Sequence, residues 1–222
     1  MFPNPIRRFA TFATFFVLAQ AAAFAGKATH GKGASVIADD SLSVAIFAGG
    51  SFWCLEAAFE KIPGVVAAVS GYTGGQQPNP TYDQVSEGKT GHVEAVEVRY
   101  NSKTVGYAKL LDAFWRNIDP TRADGQFSDA GPQFRTVVYY RDESQKRLAL
   151  ASKRRLDASR RFRKPVVTEI AAAAAFFPAE EIHQDYYKRN PDRYEAYLRF
   201  SGREKFFLKA WGSPAGARPG HG

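Results

Sequence analysis

Between Ser43 and Ile170 the apolar residues switch several times between a two-residue and a helical period, without settling into a strand-helix repeat. Strands and helices that mix in this way point to an α+β chain, a central mixed sheet with helices packed on it. The apolar run "SVAIFAG" (Ser43 to Gly49) predicts a buried strand, and "FWCLEAAFEKI" (Phe52 to Ile62) a helix closed by Pro63 and Gly64. "VVAAVSGY" (Val65 to Tyr72) predicts a second strand, followed by a Gly- and Pro-rich loop. "VEAVEVRY" (Val93 to Tyr100) alternates apolar and polar residues, with Glu94 and Glu97 on opposite faces, so a half-buried strand is expected. A helix follows over Tyr107 to Ile118, then the long loop "DPTRADGQFSDAGPQF", a strand over Arg135 to Tyr140, a basic helix from about Asp142 to Arg161, and a strand over Val166 to Ile170. From Phe176 onward the chain is aromatic and irregular, ending in a short helix near Arg203 to Ala210.

One domain, residues 41–211, is expected to carry this pattern. The first 25 residues read as a secretory signal peptide: Arg7 and Arg8 precede a mostly apolar run, Phe9 to Phe24, and Ala23-Phe24-Ala25 has the small-x-small form of a cleavage site. The run is interrupted by Thr11, Thr14 and Gln20 and falls short of the roughly 20 apolar residues of a membrane span. An exported, periplasmic protein with no stable membrane anchor is expected. Residues 26–40 read as a flexible leader and 212–222 as a disordered tail.

Cleavage after Ala25 would remove two arginines and lower the net charge from +8 to +6. Much of the remainder lies in "KRRLDASRRFRK" (Lys153 to Lys164), seven basic residues with one acid. Only Phe162 interleaves there for base stacking, so a solvated face is favoured over a nucleic-acid surface. No nucleic-acid partner is expected, and the chain is expected to be a monomer.

Cys54 is the single cysteine, so no disulfide can form within the chain. It falls in the first turn of its helix or just past it, where unpaired amides favour a thiolate, although a lone cysteine is often a small buried hydrophobe. His92 and Glu94 stand two apart on one strand, Tyr82 lies in "NPTY" and Asp129 in "QFSDAG". A carboxyl with a raised pKa beside a phenol can protonate an oxygen leaving a substrate. A rival metal reading, with His92, Glu94, His183 and Asp185, has no recognised ligand spacing, and no metal is expected. The loop "GYTGGQQPNPTY" lacks the lysine of a phosphate cradle.

The blocks "GGSFWCLEAAFEKIPGV", "SGYTGG", "NPTY", "TGHVEAVEV", "LLDAFWRNIDPT", "GQFSDAGPQFRTVVYY", "VVTEI" and "IHQDYYKRNPDRY" resemble, in order, the signature blocks of peptide methionine sulfoxide reductase A. They run from about Phe47 to Trp211. The resemblance implies a ferredoxin-like α+β core with long irregular wrapping segments. It also implies reduction of the S epimer of methionine sulfoxide, in oxidised proteins, peptides or free, to methionine.

By position it implies that Phe52 and Trp53 grip the substrate methyl group, Glu94 hands a proton to the sulfoxide oxygen, and Tyr82 hydrogen-bonds that oxygen. Asp129 would hold a water or backbone contact nearby, and His92 and Phe134 would line the binding site. No bound cofactor is implied; an external thiol, from a thioredoxin-like protein or dithiothreitol, would supply the electrons.

Two departures stand out. Ser51 occupies the position of the family's nucleophilic cysteine, and Phe134 replaces a phenol; Ser128 also stands where many relatives have a further cysteine. A serine oxygen cannot accept the sulfoxide oxygen as a thiolate does. Three readings stay open: Cys54, about one turn or roughly 5 Å along the helix, acts as the redox residue; the chain binds oxidised methionine without reducing it; or it is an altered form of an active enzyme. The expectation is a reductase with at most weak activity, Cys54 being its only candidate thiol.

Overall fold

The structure is a computed structural model that describes residues 42–212. The expected signal peptide (residues 1–25), the leader (26–40) and all but the first residue of the tail (212–222) lie outside the described residues. The chain runs β1 (Ser43–Ala48), α1 (Phe52–Glu60), β2 (Val65–Thr73), α2 (Tyr82–Ser86), β3 (Val93–Tyr100), α3 (Tyr107–Trp115), β4 (Gly125–Gln126) and β5 (Asp129–Ala130). It continues through β6 (Val137–Tyr140), α4 (Glu143–Ala158), β7 (Glu169–Ala172), β8 (Phe176–Pro178), α5 (Tyr186–Arg189), α6 (Pro191–Ser201) and α7 (Arg203–Trp211).

Six strands form one sheet in the order β7-β6-β1-β3-β2-β8, antiparallel except for the parallel β6–β7 pair. This is the expected α+β class with a mixed sheet. β1 is apolar after Ser43, and from Ala45 to Ala48 both of its faces are covered. Ala45 and Phe47 join the larger core with Leu55 and Phe59 of α1 and Leu110 and Phe114 of α3, where Phe47 stacks on Phe59 at 4.9 Å and on Phe114 at 5.2 Å. Ile46 and Ala48 turn to a smaller cluster with Val93, Ala95, Val137 and Tyr139.

β3 lies between β1 and β2, and its alternation does not mean a wet face as expected. Glu94 is 3% exposed, on the side of the strand shared with Val96 and Val98 of the larger core. A carboxyl is placed there by strand parity, in the position of a core residue.

Several segments differ from the sequence reading for identifiable reasons. The strand expected at Val166 starts only at Glu169, because the Val166 N–H donates to Asp157 at 2.9 Å and the Val167 N–H to the Pro120 carbonyl at 2.8 Å. α2 is a single turn closed by a capping box between Thr81 and Gln84. The long loop holds the two-residue strands β4 and β5. The aromatic stretch after Phe176 is ordered as β8 and three helices, of which α6 has Pro191 in its first turn and ends at Gly202 with φ 78°.

Candidate active site

The chain leaves β1 through Gly49 and Gly50 and enters α1 at Ser51. Gly50 has φ +76°, and a Cβ there would lie 2.7 Å from an Arg203 nitrogen and from Gln126. Glycine thus supplies both the left-handed turn and the room for a guanidinium behind it. The Gly50 N–H donates to the Phe134 carbonyl at 3.1 Å, which ties this turn to the segment Pro132–Phe134.

Ser51 is the N-cap residue, yet its side chain caps nothing. Two carboxyl groups from elsewhere in the fold serve the free amides instead: the Ser51 N–H donates to Asp129 Oδ2 at 3.4 Å, and the Phe52 N–H to Glu94 Oε2 at 3.0 Å. The helix start therefore draws both acids to one place, and the Ser51 hydroxyl is left without a capping role.

Phe52 is fully buried and forms the floor of an aromatic cluster, with Tyr72 at 5.9 Å, His183 at 5.5 Å and Trp53 at 6.1 Å between ring centres. Half-buried Trp53 is held flat by Tyr186, 3.9 Å away at 11°. Tyr82 stacks on His183 at 4.2 Å. Glu180 joins these walls, accepting from the Tyr72 hydroxyl and from the Tyr82 N–H, each at 2.8 Å.

On the other side of Trp53, Asp129 Oδ2 accepts from the Tyr197 hydroxyl at 2.5 Å and from Arg203 Nη2 at 3.0 Å. Arg203 is 1% exposed and its guanidinium also lies over the Phe127 ring, 4.6 Å from its centre. Cys54 is 6% exposed and packs with Ala57 and Tyr194, and with Trp53 and Tyr197.

Burial dominates the acid-base chemistry. It pushes the Glu94 carboxyl up to about 8, against the opposing pull of the Phe52 amide; Asp129 adds to the rise and Arg203 reduces it. Glu94 is consequently protonated at neutral pH, with one oxygen engaged by the helix and a proton available on the carboxyl. Burial, then the charges of Glu94 and Asp129, raises the Tyr82 phenol, which stays neutral and able to donate. Burial also raises the Cys54 thiol; Arg203 lowers it, Asp129 raises it, and the Tyr194 and Tyr197 hydroxyls lower it. His183 is lowered by burial, so its ring is neutral.

Among the residues singled out in the sequence, Ser51, Phe52, Trp53, Glu94, Tyr82 and Asp129 come together around the head of α1. Phe134 touches this group through its backbone. Cys54 shares the helix, but its neighbours are α6 and Arg203. His92 stands apart in its bonding: Nδ1 accepts from the Gly75 N–H at 3.2 Å and Nε2 meets the Gln77 carbonyl at 2.8 Å, which occupies both ring nitrogens with the loop after β2. That arrangement also takes His92 out of any metal set, and among the described residues no group of three or more His, Cys, Asp or Glu is placed to hold a metal ion.

Arg203 and Glu180 were not anticipated at the site; Tyr186, Tyr187, Tyr194 and Tyr197 read in the sequence mainly as wrapping core, of which one could reach the site, and both Tyr186 and Tyr197 do. Nothing in "SGREKFF" marks Arg203 as different from the other basic residues, since its burial depends on a distant glycine. His183, a member of the rival metal reading, is buried with its Nδ1 lacking a partner, and its contacts are aromatic.

Such a cleft can hold a small apolar group between aromatic faces and protonate an oxygen beside it. The model of one family, peptide methionine sulfoxide reductase, matches residues 43–215. The peptide methionine sulfoxide reductase MsrA of Listeria innocua is 51% identical over 172 residues, covering 78% of this chain and 97% of its own. That of Halalkalibacterium halodurans is 49% identical over 171 residues, covering 77% and 97%. Among solved structures, methionine sulfoxide reductase A of Corynebacterium diphtheriae superimposes with a TM-score of 0.62 at 29% identity, covering 69% of this chain and 77% of its own. Mxr1 from Saccharomyces cerevisiae in reduced form gives 0.64 at 27%, covering 68% and 87%. The chain belongs to the peptide methionine sulfoxide reductase family.

Proposed function

We propose that the chain reduces the S epimer of methionine sulfoxide, in peptides or free, to methionine. The observation that carries this reading is the buried Glu94 carboxyl held at the head of α1 by the Phe52 N–H, against the aromatic floor made by Phe52, where burial pushes its pKa up to about 8. The substrate methyl group lies between Phe52 and Trp53, while Glu94 and the Tyr82 hydroxyl face the sulfoxide oxygen. Protonation of that oxygen makes the sulfur electrophilic.

Cys54 supplies the electrons. Its thiolate attacks the sulfoxide sulfur made electrophilic by protonation; the protonated oxygen then passes to the Cys54 sulfur as the Cys54–substrate S–S bond and the substrate S–O bond break, and the substrate sulfur keeps an electron pair as a thioether. Cys54 is left as a sulfenic acid. One thiol attached to an outside reductant then displaces water to form a mixed disulfide, and a second thiol releases Cys54 as the reductant's disulfide. With no second cysteine in the chain, a thioredoxin-like dithiol suits this step.

A second reading has an observation in its favour: Ser51, not Cys54, abuts Asp129, and the cavity at Cys54 is only about 40 Å³. Under that reading the cleft binds methionine sulfoxide and does not turn it over. Incubating the mature chain with dithiothreitol and an S-sulfoxide peptide decides between them. Methionine formation that survives Ser51→Ala and is lost in Cys54→Ser supports reduction through Cys54; methionine formed only by Ser51→Cys supports the binding role or an altered form of an active enzyme.

We also propose export to the periplasm, on the composition of residues 1–25. N-terminal sequencing of the exported chain should begin near Gly26.

A further inference from the structure

We propose that Glu180 is a positioning residue of the cleft: its carboxylate ties the start of α2 to the cleft floor and so fixes where the Tyr82 hydroxyl meets the sulfoxide oxygen. The proposal rests on the reading of the cleft as a sulfoxide site, and it is independent of which residue, if any, supplies electrons.

Tyr82 is the first residue of α2, a helix of five residues that follows the Gly- and Pro-rich loop after β2. A single turn has too few hydrogen bonds of its own to hold a defined place. The capping box occupies the Thr81 and Gln84 amides, at 3.0 Å and 3.4 Å, and leaves the Tyr82 N–H to an outside acceptor. Glu180 Oε1 is that acceptor, at 2.8 Å. The other oxygen, Oε2, accepts from the Tyr72 hydroxyl, also at 2.8 Å. Tyr72 is fully buried, and its ring centre lies 5.9 Å from that of Phe52. An exposed carboxylate thus bridges a buried phenol of β2 and the helix that carries Tyr82.

The bridge is anchored at its own end. The Ala179 N–H donates to the Ser70 carbonyl at 2.9 Å, next to the pairing of β8 with β2, and the His183 N–H donates to the Glu180 carbonyl at 2.9 Å. Further along the same segment, the His183 ring stacks on Tyr82 at 4.2 Å. Tyr82 is therefore held twice from one stretch of chain, at its backbone through Glu180 and at its ring through His183. Burial works to raise the Glu180 carboxyl, but the amides of Tyr82 and Glu180 and the Tyr72 hydroxyl outweigh it and hold the group below the usual carboxylate range. Glu180 is ionised at neutral pH, and both donors meet a charged acceptor.

A general loosening of the fold would weaken every ligand alike, whereas a misplaced Tyr82 hydroxyl weakens the ligand whose oxygen it meets. The two epimers of the sulfoxide differ by an exchange of oxygen and methyl group, so the preference for S over R reads the position of the hydroxyl.

The experiment measures, by calorimetric titration, the affinity of peptides carrying the S or the R epimer for the mature chain with Cys54→Ser, which removes the thiol and with it turnover. Folding is checked by circular dichroism. Glu180→Ala should lower affinity for the S peptide about fivefold or more and for the R peptide less than about twofold, as expected for one misdirected hydrogen bond. Glu180→Gln keeps an oxygen for the Tyr82 N–H and should restore most of the loss. Glu180→Asp keeps the charge but falls one methylene short of the two donors, and should behave like Glu180→Ala. In a chain that also carries Tyr82→Phe, Glu180→Ala should cost no more than about twofold further, because the hydroxyl it acts through is already gone.

An S-over-R preference unchanged in folded Glu180→Ala overturns the proposal, as does a full additional loss in the Tyr82→Phe chain. Should Glu180→Ala not fold, an unchanged preference in Glu180→Asp overturns it equally. A starting chain that binds neither epimer overturns the sulfoxide reading together with the proposal. One that prefers the S epimer whatever stands at residue 180 keeps that reading and loses only the proposal.

Discussion

The Phe52 N–H donates to Glu94 Oε2 at 3.0 Å, so a side chain of the central strand β3 completes the start of the helix that carries both Ser51 and Cys54. This bond ties the acid to the aromatic residue beside which it would act. It also explains how a carboxyl that is 3% exposed persists in the core: strand parity puts it there, and the helix amide offers it a partner.

Replacing Glu94 by Gln keeps an acceptor for the Phe52 amide and removes the acidic proton. Methionine formation should fall by about 100-fold or more. Folding should be retained, as measured by thermal melts beside a coupled reductant assay. Unchanged turnover in Glu94→Gln would remove Glu94 as the proton donor.

Two buried carboxyls set the pH dependence of stability. Burial pushes Glu94 up to about 8 and Glu56 up to about 7, the latter with Oε1 accepting from the Asp185 N–H at 3.1 Å and Oε2 lacking a partner. Each therefore binds its proton more tightly folded than unfolded. The stability this contributes is full below about 4.5 and is lost as pH rises through the two folded values. Urea titrations between pH 5 and pH 8 should show stability declining, by up to about 1.4 kcal/mol per pH unit per group. Glu56→Gln and Glu94→Gln should each flatten the slope.

Trp53 lies 3.9 Å from Tyr186 and forms the half-buried wall of the cleft. Trp53→Ala should raise KM for the sulfoxide peptide roughly tenfold or more, equivalent to about 1.4 kcal/mol of binding. Trp53→Phe should recover part of it. A KM indifferent to both changes would place the substrate methyl group elsewhere.

His92 is 1% exposed and bonds Gly75 and Gln77 through its two ring nitrogens. His92→Ala should lower stability by about 1–2 kcal/mol, since two partly buried loop groups, the Gly75 N–H and the Gln77 carbonyl, lose their partners. Any change in turnover should follow that loosening of the loop. A change confined to KM in a variant of parental stability would instead mean direct contact with substrate.

Much of this arrangement was legible in the chain. The apolar runs of β1 and β2 and the alternation of β3 marked the sheet, and the blocks around Phe52, Glu94, Tyr82 and Asp129 marked the cleft. What escaped was set by distant contacts. The burial of Glu94 follows from α1 docking on β3, which makes alternation an unreliable sign of a wet face. Arg203 opens α7 in the charged run Arg203-Glu204-Lys205, which reads as surface, and a Cβ at Gly50 would press on its guanidinium. α6 carried capping signals at Pro191 and Gly202, but its buried residues are Tyr194 and Ser201, too few for a helical stripe to show.

The central claim is that Cys54 takes the oxygen from methionine sulfoxide. Its most direct test is a single turnover of the mature chain with an S-sulfoxide peptide and no reductant, trapping sulfenic acid with dimedone and reading the adduct by mass spectrometry. The account predicts one adduct on Cys54 for each methionine formed. Methionine formed with Cys54 unmodified, or no methionine from a folded chain with its thiol reduced, would contradict it.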